Sequence, residues 1–484
     1  MMSTNAGCAK TASRLPAMTA AALAALAALG LGGCMSFIPA YERPAAPVAP
    51  SYAPELMPAG SAGATAAAEI EWQRFFADPR LKRLIELSLQ NNRDLRVAVL
   101  NIEQARASYQ IRRADELPSV GAGVSAQRQA ASSGPGLVNV YSVGLQVTSY
   151  ELDFFGRVRS LSQAALATYL STQEARKTTQ IALISGVATS YIGLLADDEL
   201  LRVTRDTLKT REDSYRLTKL RFDNGASSEI DLRQAEQLLE TAKATLAQTQ
   251  RQKALDENAL TLLVGQPLPA DLPAPLTLGA QQGVTDLPAG LPSDLLIRRP
   301  DVLSAEQQLL AANANIGAAR AAFFPRISLT ANAGTASTEL SGLFKSGTFA
   351  VTGTATLLQP IFDAGRNQAN LDVAKVNKEI AIAQYEKAIQ TAFREVSDSL
   401  AGRATLGEQL RAQAAVTNAA QVTYNLADLR YKNGAASYFD VLDAQRTLFA
   451  AQQATVQTQA LQVQNLVTLY KVLGGGWTEA AKAN

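Results

Sequence analysis

A duplicated segment constrains the fold of this chain more than any other feature of its sequence. Two stretches share residue identities at a constant offset of 209 residues. The first copy holds Tyr215, Leu217, Leu220, Arg221, Asn224, Gly225 and Ala226, and the second holds Tyr424, Leu426, Leu429, Arg430, Asn433, Gly434 and Ala435. Each copy ends a very long helical pattern that follows two short segments of alternating apolar and polar residues. Two copies of such a unit are too few to close a sheet or a wall of helices on itself. The repeat therefore indicates that this chain is one part of a larger ring.

The N-terminus predicts export from the cytoplasm. Lys10 and Arg14 precede an apolar run over 15–31, and small residues follow it, as is typical of a secretory signal over 1–33. Residues 31–34, Leu-Gly-Gly-Cys, resemble the lipobox of bacterial lipoproteins, which implies that Cys34 becomes the diacylated first residue of the mature chain. Met35 stands where inner-membrane retention typically shows Asp, and this favours the outer membrane.

Composition argues against most enzyme and cofactor classes. The chain has no His, which excludes Ser-His-Asp and Cys-His sites and His-containing metal sites. Its two cysteines are Cys8, inside the signal, and Cys34, so no disulfide is expected, and the covalent lipid is the only attached group. A net charge of +2 gives no sign of the strongly basic surface that binds nucleic acid. A two-carboxylate hydrolase stays compatible with composition, but the acidic pair Asp440 and Asp443 lies on a coiled-coil tip without a pocket.

The remainder divides into two repeats joined by a Pro- and Gly-rich stretch. Asn224-Gly225 and Asn433-Gly434 are predicted to reverse the long helices, because Gly adopts positive φ readily. A lipidated Pro/Ala-rich tether is predicted over 34–70, an equatorial connection over 265–300 and a C-terminal tail over 474–484. The first repeat, over 71–264, consists of a helix, a β-hairpin over 118–152 and a helical hairpin over 157–264. The second repeat, over 301–473, consists of a helix, a β-hairpin over 326–362 and a helical hairpin over 366–473.

The shorter helices suggest composite arms. We expect the helix over 301–322 to stack end-on with the one over 228–264, and the helix over 80–116 to stack on the one over 437–473. No apolar stretch of about twenty residues follows the signal, so no helix is expected to span a membrane.

The four strands fit a membrane barrel that no single copy can close. Their period-two alternation allows an apolar face towards lipid and a polar face towards water, although a half-buried soluble hairpin shows the same pattern. Aromatic residues gather near the strand ends, at Phe154-Phe155, Phe323-Phe324 and Phe362, as in an interfacial girdle. Open sheet edges are forbidden in lipid, so closure requires further copies of the chain.

Several motifs together resemble the outer membrane factors of tripartite efflux pumps, in particular the OprM-type (NodT-like) lipoproteins of the TolC superfamily. The resemblance covers essentially all of the mature chain. The motifs are 31–34, Trp72 with Phe75-Phe76, 92–97, 296–302, 321–325, 440–445 and 473–477.

The resemblance implies an α+β membrane protein with four transmembrane β-strands and long antiparallel coiled-coil helices per protomer. A homotrimer would form a twelve-stranded β-barrel in the outer membrane, continuous with a periplasmic α-helical barrel. The family further implies a passive exit duct for small amphipathic drugs, engaged by a periplasmic adaptor (membrane fusion) protein and powered by an inner-membrane RND pump. Neither enzymatic activity nor nucleic-acid binding is expected.

Two other functions remain compatible with the sequence. One is the outer-membrane channel of a type I protein secretion system, against which the lipobox and the OprM-like motifs weigh. The other is a structural trimeric coiled-coil envelope protein, which needs no pore and in which Asp443→Ala should be silent.

The residues Asp440 and Asp443 are candidates for a periplasmic gate. Their i, i+3 spacing places them on one face of a helix, and a trimer would gather each into a ring of three, like the acidic constriction of the resembling family. Carboxylates at such short distances from one another attract cations and raise one another's pKa values. Asp440 has an alternative role as part of a capping box with Ser437, because Ser228 and Asp231 form the same pattern in the first repeat.

Neighbouring residues are candidates for holding the tip closed. Phe439 could form a hydrophobic constriction or pack against the adjoining hairpin. The segment 434–437 lacks the tip Arg of TolC itself, and Arg221, Arg430 and Asp231 are the substitutes that the sequence offers.

Overall fold

The computed structural model describes residues 36–56, 67–130, 135–281, 287 and 294–477. The predicted signal peptide and Cys34 lie outside the described residues. The protein is mostly helical with one small sheet. Its helices are α1 Trp72–Phe75, α2 Pro79–Asn91, α3 Arg93–Ala114, α4 Arg157–Asp223, α5 Glu229–Val264, α6 Leu295–Arg298, α7 Pro300–Ala321, α8 Arg366–Lys432 and α9 Tyr438–Val472, and its strands are β1 Val120–Ala130, β2 Leu137–Glu151, β3 Arg326–Ser337 and β4 Phe349–Leu358.

The chain forms two compact units. The first unit combines Gln110–Ala164 and Ala312–Asn377 with the described N-terminal residues up to Tyr41, and it contains the sheet. The second unit combines Glu42–Tyr109, Ala165–Ala311 and the residues from Lys378 onward, and it contains the helical hairpins.

The sheet of the first unit has the order β1-β2-β3-β4, and every neighbouring pair is antiparallel. The central pair joins strands from the two repeats, with Gly144 opposite Gly334. A bulge follows between Val147 and Tyr150, where Ser149 has a φ of +53°. The outer edges of β1 and β4 have no further strand paired to them among the described residues.

Two opposed glycines let the central strands approach closely. A Cβ placed on Gly334 would lie 2.3 Å from the carbonyl oxygen of Val143, and one on Gly144 would lie 2.6 Å from that of Ala333. Contacts this short clash with backbone, which cannot rotate away as a side chain does. Only glycine fits at both positions.

A charged cluster fixes the passage from the sheet to helix α4. The Arg157 guanidinium donates to both carboxylate oxygens of Glu151, at 2.8 and 2.6 Å, and Arg326 lies 3.4 Å from the same carboxylate. Gly156 has a φ of +72°, which permits the sharp change of direction. Bidentate Arg–carboxylate pairs are among the stronger charge-assisted hydrogen bonds, so this joint holds the last residue of β2 against the first turn of α4.

The second unit is built from two equivalent helical hairpins. Helices α4 and α8 are each 67 residues long. The middle of α8 buries Tyr385, Ile389, Val396 and Leu400, whose spacing is that of a coiled-coil seam. Helices α5 and α9 return from each reversal, and both begin with a capping box.

The composite arms differ from those expected, because each forms within one repeat. Near the end of α5, the Leu263 carbonyl accepts a 3.0 Å hydrogen bond from the Asn92 side chain, which lies between α2 and α3. At the end of α9, the Val472 carbonyl accepts one of 3.3 Å from Arg299, just before α7. The expected exchange of arms between repeats is therefore wrong. The last carbonyls of a helix lack partners within it, and polar side chains at these breaks supply them.

The segment predicted as a tether packs against the body of the protein in both of its described parts, 36–56 and 67–70. Phe37 stacks on Phe324 with ring centroids 4.6 Å apart, and Phe324 also stacks on Phe155 at 4.9 Å. Further along, the Tyr52 ring stacks on Phe393 at 5.1 Å. Phe155 and Phe324 of the expected aromatic girdle thus stack within the chain, whereas Phe362 is 89% exposed.

One helix contradicts the expectation that no later stretch is long and apolar enough to cross a membrane. A window within Arg157–Asp223 passes that test by length and composition. Most of the window is buried inside the protein, as in the core helix of a soluble domain. The feature is therefore weak as a sign of a membrane span.

Candidate functional site

The two helical reversals share one geometry. Gly225 and Gly434 have φ values of +73° and +72°. The amides of Gly225 and Ala226 donate to the Phe222 and Arg221 carbonyls at 2.9 and 2.8 Å, and those of Gly434 and Ala435 donate to Tyr431 and Arg430 at 3.0 and 2.9 Å. This is the Schellman arrangement, in which a left-handed glycine ends a helix and satisfies its last carbonyls.

An apolar cluster joins the two hairpins close to these reversals. We call it the tip cluster, and its fully buried members are Ala235, Tyr438, Val441 and Leu442. Residues from α4, α5 and α8 pack around them, namely Tyr215, Leu238, Tyr424, Ala427 and Tyr431, so all four helices contribute to the cluster. Burial raises the pKa of the Tyr438 hydroxyl, so it stays neutral. The cluster makes the tip of one protomer a packed unit of both hairpins.

The two acidic residues at the third helical positions act as caps. The Oδ2 atom of Asp440 accepts hydrogen bonds of 3.0 Å from both the backbone amide and the hydroxyl of Ser437. Asp231 accepts the equivalent bonds from Ser228, and these bonds lower its pKa. The capping role of Asp440 is therefore present. Its Oδ1 atom accepts no hydrogen bond from the described residues, so capping leaves one oxygen for another contact.

Asp443 lies beyond the cap and is paired with a residue that the sequence analysis overlooked. Arg446, one turn further along α9, forms an ion pair with its carboxylate. Both side chains are substantially exposed, at 65% for Arg446 and 47% for Asp443. The i, i+3 spacing of an acid and a base was visible in the sequence. Any ring of Asp443 residues would be accompanied by a ring of arginines.

Among the three substitute partners, only Arg221 reaches the other hairpin. Its guanidinium donates a hydrogen bond to the Tyr431 hydroxyl and lies 5.0 Å from the centroid of that ring. Arg430 instead donates to the Ala435 carbonyl of its own turn at 3.2 Å, and Asp231 is used in its cap. The Tyr431 ring also lies 5.1 Å from that of Tyr438. Of the three candidates, Arg221 is thus the one that joins α4 to α8.

Phe439 projects from the first turn of α9 with 54% of its surface exposed. Its neighbour Tyr438 is buried in the tip cluster, so the two rings lie in opposite environments. Within a single chain, Phe439 therefore does not take the packed position that was its alternative role.

Among the residues that the structure describes, no group of His, Cys, Asp and Glu is arranged to hold a metal ion.

A second acidic group lies on α4, well before the tip. Asp197 is only 6% exposed, and its Oδ2 has no hydrogen-bond donor among the described residues. Burial, a hydrogen bond shared with Asp256 and repulsion from Asp256 and Asp198 raise the pKa of Asp197 to about 7. Lys253 partly offsets the repulsion from its position 2.6 Å from Asp198.

We expect Asp197→Asn to raise the thermal unfolding midpoint more at pH 8 than at pH 5. A carboxyl whose folded-state pKa is raised stabilises the protein fully below its unfolded pKa, about 3.9, and loses that contribution as pH rises through about 7. The amide is neutral at both values and removes the repulsion at pH 8 alone. Asp213→Asn, at an exposed pair with Arg216, is the control. Equal shifts at both pH values would contradict this assignment.

Comparison of the sequence with known proteins identifies the family of this chain. The outer membrane efflux protein family matches residues 84–266 and 291–475. The antibiotic efflux pump outer membrane protein ArpC and the toluene efflux pump outer membrane protein TtgC, both of Pseudomonas putida, are each 50% identical over 463 residues, covering 94% of this chain and 95% of theirs.

A solved structure agrees in fold. A crystal structure of the open state of the MtrE outer membrane channel of Neisseria gonorrhoeae matches with a TM-score of 0.84 at 41% identity, over 92% of this chain and 99% of that one. The resemblance found in the sequence motifs is confirmed. This chain belongs to the outer membrane efflux protein family.

Proposed function

We propose that this chain forms the outer-membrane exit duct of a tripartite efflux system. Small amphipathic toxic molecules would pass through it passively from the periplasm to the exterior. The observation that carries the proposal is similarity over nearly the whole chain to relatives named as efflux-pump outer membrane proteins. An inner-membrane RND pump would supply the energy, and a periplasmic adaptor would join it to the hairpin tips.

The proposed assembly is a homotrimer. Its main support is the sheet, in which β1 and β4 are each paired on one side only and leave their outer edges unpaired among the described residues. Unpaired backbone groups cannot face lipid, so β1 of one copy would pair with β4 of the next. Three copies of four strands would give a twelve-stranded barrel, within the range of bacterial outer-membrane barrels.

The proposed gate lies at the hairpin tips. In a trimer, Asp440, Asp443 and Phe439 would each form a ring of three around the axis. The free Oδ1 of Asp440 and the exposure of Phe439 support this assignment, because both remain available to neighbouring copies. The Arg221–Tyr431 contact would hold the two hairpins of each protomer together in the closed state.

The Asp443–Arg446 pair predicts opposite changes in ion selectivity. Asp443→Ala should lower the preference for cations over anions, because it leaves a ring of arginines at the constriction. Arg446→Ala should raise the same preference, since it leaves the carboxylates unpaired. Reversal potentials of single channels in planar bilayers under a salt gradient measure both. Unchanged potentials in the two variants would remove Asp443 from the gate.

We also propose that Cys34 carries the lipid anchor. The support is the lipobox-like sequence at 31–34. Cells fed labelled palmitate should incorporate the label into the wild-type chain and not into Cys34→Ala. Equal labelling of both chains would show that the lipid, if present, is attached elsewhere.

Accumulation of fluorescent efflux substrates tests the central proposal. Cells that lack the chain should accumulate more dye than the same cells with the chain restored, and an empty vector should not restore efflux. If several dyes accumulate equally with and without the chain, the proposal of a duct for small molecules fails. The proteins secreted by the two strains would then be compared, because a secretion channel would change them.

A further inference from the structure

A buried arginine lies on helix α4 about three turns before the tip. Arg211 is 3% exposed, and its Nη1 donates a 2.9 Å hydrogen bond to the Leu238 carbonyl of α5. Its guanidinium carbon lies 5.3 Å from the centroid of the Phe449 ring on α9. Its Nε has no hydrogen-bond acceptor among the described residues. Burial alone lowers the pKa of Arg211, with no described carboxylate acting on it.

A cavity of about 220 Å³ adjoins this guanidinium. Hydroxyl and amide side chains from three helices line it, among them Thr207, Gln421, Tyr424 and Gln452. Asp206 is the one acidic lining residue, but its side chain is 70% exposed and is paired with Arg202 at 3.1 Å. The cavity therefore combines a buried positive charge with neutral polar groups that can donate hydrogen bonds.

The second repeat shows that packing of a hairpin does not require this charge. The position equivalent to Arg211, at the offset of 209 residues, is Ala420. Ala420 is buried with Leu448 and Ala451 in an apolar cluster. A methyl group thus fills the same place in the other hairpin. Burial of an unpaired charge is strongly unfavourable, and arginine does not escape it by losing its proton.

We propose that Arg211 and this cavity form a binding site for a small monovalent anion such as chloride. A single negative charge matches the single buried cation, and Nε together with the neighbouring hydroxyl and amide groups would supply its hydrogen bonds. Because Arg211 also contacts α5 and α9, a bound anion would stabilise the packing of three helices near the tip. The inference goes beyond the exit duct and does not depend on which molecules are transported.

Bromide is the probe for the site, because it replaces chloride and scatters anomalously. Crystals of the full-length, detergent-solubilised protein grown or soaked in bromide should show an anomalous peak within about 3.5 Å of Arg211 Nε, a charge-assisted hydrogen-bond distance for a large halide. Absence of a peak there overturns the proposal. Equal peaks at exposed arginines such as Arg216 would show adventitious binding only, and would overturn it as well.

Broadening of the chloride-35 NMR line by the protein in solution measures affinity. Arg211→Gln should weaken chloride binding about tenfold or more, since it removes a charge-assisted contact. The matched control is Arg216→Gln on the same helix, whose side chain is 81% exposed, and it should leave binding unchanged. Wild-type affinity in Arg211→Gln would refute the site. If that variant does not fold, the bromide experiment on the wild-type protein decides.

Discussion

Cells producing the Arg221→Ala variant are expected to admit large antibiotics that the closed duct excludes. The substitution removes both the hydrogen bond to the Tyr431 hydroxyl and the cation–π contact with its ring. These contribute about 0.5–1.5 and about 0.5–1 kcal/mol, or about 3–7.5 kcal/mol over the three protomers of the proposed trimer. About 5.5 kcal/mol is enough to convert a two-state equilibrium from 1:99 to 99:1. The tip should therefore be open most of the time.

Single-channel conductance and susceptibility to a glycopeptide antibiotic measure this opening. Arg430→Ala is the matched control, because Arg430 occupies the equivalent repeat position and donates only to its own turn. Tyr431→Phe should give an intermediate effect, since it removes the hydrogen bond and keeps the ring. A conductance of Arg221→Ala equal to that of the wild-type protein would exclude this contact from the closure.

Gly334→Ala is expected to prevent assembly of the outer-membrane form almost completely. The added Cβ would lie 2.3 Å from the Val143 carbonyl and 2.6 Å from the Gly144 Cα, so β2 and β3 must separate. Overpacking of this kind costs about 1–3 kcal/mol or more before any lost strand pairing is counted. The strands concerned join the two repeats, so their separation divides the sheet in half.

The amount of the proposed trimer in outer-membrane fractions, resolved on gels without heating, measures the defect. Gly353→Ala is the control, because it places the same methyl on β4 with nothing within 4 Å. Gly144→Ala should behave like Gly334→Ala. Normal assembly of Gly334→Ala would mean that the close approach of the two glycines does not matter.

Features that depend on residues close together in the chain were predictable from the sequence. The Asn-Gly reversals at Gly225 and Gly434 depend on one left-handed residue each, which the repeat displayed twice. The capping box of Ser437 and Asp440 depends on residues three positions apart. Period-two alternation likewise marks strands wherever one face of a sheet differs from the other, because successive side chains alternate.

Contacts between distant segments were not predictable in the same way. The junction between the α2–α3 arm and the end of α5 includes hydrogen bonds from Ser88 and Asn92 to the Leu263 carbonyl, across 175 and 171 residues. Periodicity cannot indicate which arm a helix joins. The Arg221–Tyr431 contact joins residues 210 positions apart, and Tyr431 itself is replaced by Phe222 in the first repeat. The sequence identified the arginine as a candidate but contained no signal for its partner.

The arms joined within each repeat have a mechanical consequence. Helices α4 and α8 are continuous over 67 residues, so a sharp kink in either of them would break backbone hydrogen bonds. The opposite arms are interrupted, and the interruptions are held by side-chain bonds to the carbonyls of Leu263 and Val472. Gly265 and Gly474 leave no room for a side chain at these breaks. Each hairpin therefore pairs one continuous helix with an arm that is interrupted. A twist applied at the tips would change the backbone at the interruptions before it changed the continuous helices.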